Sequence, residues 1–436
     1  MRTRQSLALA RYASTNTMEK FRVLVIGGGS GGLTVANQIY NRFKAAGRPL
    51  NPGDVVVLDA ANYHYYQVSR TNNSLMTLVG AGLRPKTDFK RPLASLFPPH
   101  IMHIAENVKS FYPETSSVTT TSGRTISYDS LVVAAASLAC RRLSPDPSSG
   151  VSSIYSYDTC DKVWHDVDAL RSGNAIFTQP AGIIKCPGAP QKIMWMAWDN
   201  YHKSGRGNNI NIEFMNGMPT MFSVKKYSDA LNALRIERGI GAEFQHNLVS
   251  IDAANKKATF KKADGSTVDR DFTLLHVTPP MGPLDFIKGT SIADPTGWVE
   301  VDQATLRHVK PEFGNIFALG DCSSLPTSKT AAAITSQAPV LTENLFSVMD
   351  TGKVSSAKYD GYTSCPLFTG YGELMLAEFK YGFEPKESFA NYLGDQTKRK
   401  RLFYHFGKDL FPWAYWNRML HGKWFGPSGP FRPKFV

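Results

Sequence analysis

Cys186 sits in a stretch whose residue types could do chemistry: Ile183-Ile184-Lys185-Cys186-Pro187-Gly188-Ala189-Pro190-Gln191-Lys192. An apolar run at residues 174–178 precedes it and the helical pattern Ile193-Met194-Trp195-Met196 follows, so the order reads as strand, tight turn and helix start. In a nucleotide-binding unit such a turn carries phosphate-cradling glycines. Here it carries a thiol beside Lys185 and Lys192, and a helix start next to cations favours thiolate. On this stretch alone a buried structural cysteine is an equal reading.

A second chemical signal lies at the start of the chain. Phe21-Arg22-Val23-Leu24-Val25-Ile26 reads as a buried strand leading into Gly27-Gly28-Gly29-Ser30-Gly31-Gly32 and a helix. Gly27 permits the turn, Gly29 lets the backbone approach a pyrophosphate, and Gly32 lets helix and strand pack closely. The helix N-terminus then faces the phosphates. A second strand over residues 54–58 ends at Asp59, placed to accept hydrogen bonds from a ribose. Strand, glycines, helix and terminal acid together predict dinucleotide binding. Residues 315–321 (Asn-Ile-Phe-Ala-Leu-Gly-Asp) repeat the theme, with Asp321 suited to a ribityl hydroxyl. The helix opened by Lys329, Thr330, Ala331 and Ala332 can aim its positive end at a flavin.

These motifs must be held by a sizeable chain. Its 436 residues allow two or three domains, and 42% hydrophobic content supports a packed core. The net charge is +13, from 49 basic and 36 acidic residues. The basic residues are not gathered into one arm, so a nucleic-acid partner is not expected. Five cysteines at scattered spacings give neither a metal-ligand cluster nor a secreted disulfide framework. Residues 1–17 carry three arginines and no acid, the composition of a mitochondrial transit peptide. No window of eighteen apolar residues predicts a spanning helix.

The predicted organisation has a first flavin-binding part over residues 18–150, with further strands near residues 101–104, 117–121 and 128–136. A second αβ unit covers residues 151–280, and its strand at residues 209–215 leads to Asn216 rather than an acid. With no second glycine fingerprint, no nicotinamide cofactor is expected there. The rest of the flavin-binding part is residues 281–345. Residues 346–436 form a C-terminal region whose tail mixes Phe403, Tyr404, Phe406, Phe411, Trp413, Tyr415, Trp416, Trp424 and Phe425 with Lys408, Arg418 and Lys423. That mixture predicts amphipathic helices lying on a membrane, with a core-packing element as the alternative. Pro412 is expected to break the tail into two helices.

The chain resembles the eukaryotic mitochondrial sulfide:quinone oxidoreductases from about Phe21 to its end. The residues that carry the likeness are the Lys185–Lys192 stretch, Val224-Lys225-Lys226-Tyr227, Leu275-His276-Val277-Thr278-Pro279-Pro280-Met281, Gly320-Asp321-Cys322, Pro326-Thr327-Ser328-Lys329-Thr330-Ala331-Ala332-Ala333 and Tyr359-Asp360-Gly361-Tyr362-Thr363-Ser364-Cys365-Pro366-Leu367. The resemblance implies an α/β fold of two tandem Rossmann-like domains, similar to glutathione reductase, plus a membrane-associated C-terminal region. It implies non-covalent FAD on Ser30, Gly31, Asp59, Gln67, Val108 (by backbone), Asp321, Lys329, Thr330, Ala331 and Ala332. It makes Cys186 and Cys365 a redox pair. Hydrosulfide would attack the bridged sulfur of Cys365, leaving a persulfide there and releasing Cys186 as thiolate, which donates into the flavin. The implied partners are hydrogen sulfide, ubiquinone, a small sulfane-sulfur acceptor (sulfite, glutathione or cyanide) and the matrix side of the mitochondrial inner membrane; a homodimer is left open.

Two departures from the family pattern stand out. Residues 68–76 occupy the place of a short Pro-x-Trp link. Ala134-Ala135-Ala136-Ser137 replaces a turn that carries glycine, so a left-handed conformation there would be strained. Cys160 and Cys322 read as packing residues, and Cys140 as a packing residue with a third redox role left open. Two rival readings remain: a type II NADH:quinone oxidoreductase, which needs a second glycine fingerprint, and a degenerate flavin-bound redox sensor.

Overall fold

The computed structural model describes residues 19–48, 50–66, 76–136, 138–139 and 149–435. The transit-peptide reading, Gln67, residues 68–75, Ser137 and Cys140 lie outside the described residues. The run Val23-Leu24-Val25-Ile26 makes β1 (Glu19–Ile26), buried on both faces as a central parallel strand must be. Gly29 ends the turn and α1 (Ser30–Ala45) follows. The chain then adds β2 (Val55–Leu58), β3 (Ile101–Ile104), β4 (Val108–Tyr112), β5 (Ser117–Thr120) and β6 (Thr125–Val133). These strands form one sheet in the order β3-β2-β1-β6-β5-β4. Val25 pairs with Val57 on one side and Val132 on the other, in parallel register.

A second, all-parallel sheet is built from β7 (Val151–Ser152), β8 (Gly173–Gln179), β9 (Ile210–Asn216), β10 (Gly241–Phe244) and β11 (Leu274–His276), in the order β7-β11-β8-β9-β10. The long crossovers that parallel strands require include α2 (Ala189–Lys203) and α3 (Lys225–Glu237). A three-stranded antiparallel sheet at residues 247–271 packs beneath, its hairpin turning at Gly265 with φ 85°.

The chain then returns to the first sheet. β12 (Ile316–Ala318) pairs in parallel with β6, Phe317 against Val132. α4 (Ala331–Thr351) follows, its first turn capped by Thr330, whose hydroxyl accepts from the Ala333 N–H at 3.0 Å. It packs on α1. An antiparallel ribbon of β13 (Thr363–Gly370) and β14 (Glu373–Phe379) comes next.

Two expectations are corrected here. Pro412 does not split the tail. The helix runs through residues 401–419 as α turns at Arg401–His405 and Phe411–Ala414 alternating with π turns at Phe406–Leu410 and Tyr415–Met419. The wider π turn before Pro412 moves the carbonyl that its ring would meet in an α-helix, so the missing N–H costs no break. Nor are Ala134, Ala135 and Ala136 strained, since none of them adopts positive φ. The tail is also more deeply packed than its composition implies. Phe403, Tyr404, Tyr415, Trp416 and Met419 are buried, while Leu402, Leu410 and Trp413 are exposed. Among the described residues no helix is long and apolar enough to cross a membrane.

Candidate active site

β8 ends at Gln179, and a loop carries the chain to α2 through Cys186. Cys186 has φ 43°, a left-handed conformation that costs a non-glycine residue about 1–2 kcal/mol. Three contacts hold it there. Its N–H donates to the Lys329 carbonyl at 3.0 Å, its own carbonyl accepts from Ala189 N–H at 2.9 Å, and Lys185 forms a parallel bridge with Lys329. The thiol is thereby pinned to the residues that open α4.

Cys365, on β13, meets it. The two sulfurs are 179 positions apart in sequence and 3.8 Å apart in space, both buried and with no disulfide between them. A disulfide, at about 2.05 Å, needs only a small approach. Gly188 makes the contact sterically allowed, because a Cβ there would lie 2.5 Å from both the Cys365 sulfur and Leu367 Cδ2.

Of the two neighbouring lysines, one reaches the sulfur: Lys192 Nζ donates to Cys186 Sγ at 3.4 Å. Burial pulls the Lys192 ammonium down, but Cys186 and then Cys365 outweigh it, so its pKa sits above the ordinary lysine value and the charge is kept. The Cys365 thiol is pushed well up by its hydrogen bond to Cys186 and by burial, against the pull of Lys192. The pair therefore keeps its proton on Cys365 while Lys192 faces Cys186. Lys185 is buried too, but its charge acts on Asp321.

The dinucleotide motif has the geometry its spacing calls for. Gly27 has φ 98°, and a Cβ on Gly32 would fall 1.8 Å from the Gly27 carbonyl. Gly29 has nothing within 4 Å of an added Cβ, so this side of the turn is open. No side-chain cap hydrogen bond is made at the start of α1 and its first turn has no acid, which suits an anion there. Gly31 backs onto Leu319. Asp59 is partly engaged in shaping the turn, accepting from Gly28 N–H at 2.6 Å and Ala61 N–H at 2.8 Å. Val108 is buried at the start of β4, on the same sheet.

Asp321 follows β12, fully buried, and neither carboxylate oxygen has a hydrogen-bond partner among the described residues. Burial pushes its pKa up to about 6, against the pull of Lys185 and Lys329. Lys329 donates to the Ser323 carbonyl at 2.5 Å and lies 4.5 Å from the Trp298 ring centre. Burial pushes it down to about 8 although Asp321 opposes this. A buried carboxylate with no donor calls for a ligand that brings hydroxyl groups. Two helix N-termini and the open face of Gly29 call for phosphate and polar ring atoms. A flavin dinucleotide fits these residues.

β13 divides the site. Alternate side chains of a strand point to opposite faces. Cys365 and Leu367 point towards α2, while Ser364 and Pro366 face a cavity of about 380 Å³ on the other side. Their cross-strand partners on β14, Glu378 opposite Ser364 and Leu376 opposite Pro366, line the same cavity. Ala331 and Ala332 of α4 form one end of it, and Phe389, Phe406, Phe411 and Trp424 supply an aromatic wall. Tyr415 also reaches the glycine turn. Its hydroxyl hydrogen-bonds Ser30 Oγ at 2.5 Å and His64 Nε2 at 2.7 Å, and its ring stacks on Tyr66 at 3.4 Å.

Glu378 was not among the residues singled out in the sequence, and Gly188 and Tyr415 were named there only as parts of the Lys185–Lys192 stretch and of the aromatic tail. Strand alternation around Cys365 could have found the cavity face; the other two positions are set by tertiary contacts alone. Cys160 and Cys322 behave as packing residues, their thiols pushed up to about 12 by burial.

Comparison with known proteins places this geometry. No protein-family model matches the chain. It is 46% identical to the mitochondrial sulfide:quinone oxidoreductase of Schizosaccharomyces pombe, over 98% of this chain and 95% of that protein. The chain belongs to the mitochondrial sulfide:quinone oxidoreductase family. The family members of Dictyostelium discoideum and Mus musculus are 43% and 37% identical, over 94% and 97% of this chain and 88% and 91% of theirs.

Solved structures carry the fold. The sulfide:quinone oxidoreductase of Aquifex aeolicus superposes with TM-score 0.70 at 18% identity, over 92% of each chain. A chain of the Tetrahymena thermophila mitochondrial ATP synthase does so with TM-score 0.76 at 21% identity, over 96% of this chain and all of that one. The expected fold class, two tandem Rossmann-like units followed by a C-terminal region, is the one found. NDH2 of Plasmodium falciparum, solved in complex with NADH, shares the fold more loosely, with TM-score 0.51 at 14% identity over 71% of this chain and 65% of its own. In this family member the matching turn of the second unit is Cys-Pro-Gly, and β9 ends at Asn216.

Proposed function

We propose that the protein oxidises hydrogen sulfide through Cys186 and Cys365 and delivers two electrons to ubiquinone in the cavity across β13. The observation that carries this reading is the partition of one strand: a lysine-backed cysteine pair on one face and an apolar aromatic cavity on the other. Hydrosulfide attacks the bridged sulfur of Cys365, which forms a persulfide as the bridge breaks and Cys186 leaves as thiolate. Lys192, 3.4 Å away, stabilises that leaving charge. A nucleophilic acceptor such as sulfite, glutathione or cyanide then takes the sulfane sulfur and returns Cys365 to thiolate. Re-closing the bridge releases two electrons.

FAD is the cofactor we assign to the glycine turn, with Gly27, Gly29, Ser30, Gly31, Gly32 and Asp59 at its pyrophosphate and ribose and Val108 in reach; the Gln67 contact that the family resemblance implies lies outside the described residues. Asp321 accepts from ribityl hydroxyls, and Lys329, Thr330, Ala331 and Ala332 hold the ring end. When bound, FAD takes the two electrons released as the bridge closes and passes them to the quinone. The mitochondrial names of the relatives and the exposed Leu402, Leu410 and Trp413 support a peripheral position on the inner membrane, on the matrix side.

Anaerobic titration tests this. Sulfide should bleach the flavin of the purified protein, and decylubiquinone should restore its colour. Cys186→Ser and Cys365→Ser should each abolish sulfide-dependent quinone reduction with flavin still bound. Full activity in either variant would sink the two-cysteine mechanism. Bleaching by NADH but not by sulfide would favour the NADH:quinone reading.

A further inference from the structure

Reducing a quinone takes two protons as well as two electrons. The electrons come from sulfide, but the proton of hydrosulfide is released on the cysteine face of β13. The cavity face must draw its protons elsewhere. Among the described residues lining that cavity, Glu378 is the only carboxylate.

Its hydrogen-bond partners are polar but include no cation among the described residues. Glu378 is buried on β14. Oε1 accepts from the Tyr362 hydroxyl and from Ser388 Oγ at 2.8 Å; Oε2 accepts from Ser388 N–H at 2.8 Å and Gln396 Nε2 at 3.0 Å. All four donors are neutral, and no cation lies within salt-bridge distance of it among the described residues. Two lysines of the surrounding elements pair with other acids: Lys386 with Asp360 at 2.5 Å and Lys226 with Glu387 at 2.7 Å. Ser388 is half-buried and lines the same cavity, so its hydroxyl connects Glu378 to the surface.

We propose that Glu378 is the proton donor to one oxygen of the quinone reduced in this cavity, recharged from solvent through the Ser388 hydroxyl. The proposal rests on the cavity being the quinone site. In the step, the Glu378 carboxylate takes the Ser388 hydroxyl proton while the serine takes one from water, and the O–H bond so formed on Glu378 breaks as an O–H bond to the quinone oxygen forms and the two electrons arrive from sulfide oxidation.

Glu378→Gln is the test, because glutamine keeps the shape and an acceptor but has no acidic proton. Anaerobic stopped-flow should show three results. Bleaching by sulfide is unchanged. Reoxidation by ferricyanide, which takes electrons without protons, is unchanged. Reoxidation by decylubiquinone slows by on the order of 100-fold, a typical general-acid contribution. Equilibrium binding of decylubiquinone to the oxidised protein should stay within about threefold of wild type, and Glu378→Asp should recover part of the rate. Reoxidation by decylubiquinone at the wild-type rate would overturn the proposal. So would an equal slowing with ferricyanide, which would mark Glu378 as an anchor of the β-ribbon. A photoreactive ubiquinone separates this from failure of the underlying reading. Labelling of the tail helix around Phe406 and Phe411 with a normal Glu378→Gln rate removes only the proton donor; labelling elsewhere removes the cavity assignment and the donor with it.

Discussion

Lys192→Met probes the cysteine pair most directly. Methionine fills nearly the same buried volume and removes only the charge. The ammonium lies 3.4 Å from Cys186 Sγ, and at an effective dielectric of about 20 two unit charges at that distance attract by about 5 kcal/mol. Burial of the ammonium takes part of this back, as the downward pull on its own pKa shows. The net loss of leaving-thiolate stabilisation is then about 3–4 kcal/mol, a factor of about 10²–10³ in the sulfide half-reaction. The assay is anaerobic stopped-flow bleaching of the flavin by sulfide. In the reduced protein, alkylation of Cys186 by iodoacetamide should slow in parallel, since both need the thiolate. Flavin content should not change, because Lys192 lies on α2 and faces the sulfurs. A sulfide rate within about threefold of wild type would refute the electrostatic role of Lys192.

The remaining predictions address the surroundings. Without flavin, the Asp321 carboxyl titrates at about 6 in the folded protein against 3.8 ordinarily. A raised carboxyl pKa gives stability that is complete below the unfolded value and lost as pH rises through the folded one. Flavin-free protein should therefore lose about 2 kcal/mol between pH 4 and 6, out of about 3 kcal/mol in all, and Asp321→Asn should flatten that slope in chemical-denaturation curves. Gly188→Ala should leave flavin bound but slow bridge formation between the cysteines. The backbone there has φ −85° and tolerates alanine, so the effect is steric alone, a Cβ 2.5 Å from the Cys365 sulfur, read by thiol titration during oxidation. Removing residues 403–436 should yield aggregated, flavin-poor protein on size-exclusion chromatography rather than a more soluble enzyme, because the cut strips Phe403, Tyr415 and Trp416 from the core.

What the sequence disclosed followed from how local each feature is. The glycine turn was legible because every part of it, from β1 to Gly32, lies within one short run whose spacing has a steric cause. Cys186 and Cys365 had no such rule. Their 179-residue separation obeys no spacing, and only a resemblance joined them before the fold did. Lys185 and Lys192 looked equivalent beside the thiol, yet the helical rise of α2 returns Lys192 to the sulfur while the bridge to Lys329 turns Lys185 towards Asp321. Pro412 misled because the breaking rule assumes an α-helical carbonyl, and a π turn removes it. Aromatic residues mixed with basic ones describe an interfacial helix and a core helix equally well. Composition alone could not divide the tail into its buried Tyr415 face and its exposed Trp413 face.

That division ties the tail to the cofactor turn. The helix that exposes Leu402, Leu410 and Trp413 also places the Tyr415 hydroxyl on Ser30, at the first residue of α1. Further along, the Met419 carbonyl accepts from Thr34 and the His421 carbonyl from Asn41, one and three turns deeper on the same helix. Gly422, with φ 67°, lets the tail lie so close to α1 that a Cβ would meet Gln38 N at 2.7 Å. A segment that only anchored the protein would need none of these contacts. The exposed face of the tail is thus joined to α1 by hydrogen bonds of the Tyr415 side chain and the Met419 and His421 carbonyls. The same helix supplies Phe406 and Phe411 to the cavity wall. Cofactor turn, aromatic cavity and exposed apolar face are thus three sides of one short element, which is why its aromatic residues cannot be exchanged for aliphatic ones of equal hydrophobicity without loss at more than one of them.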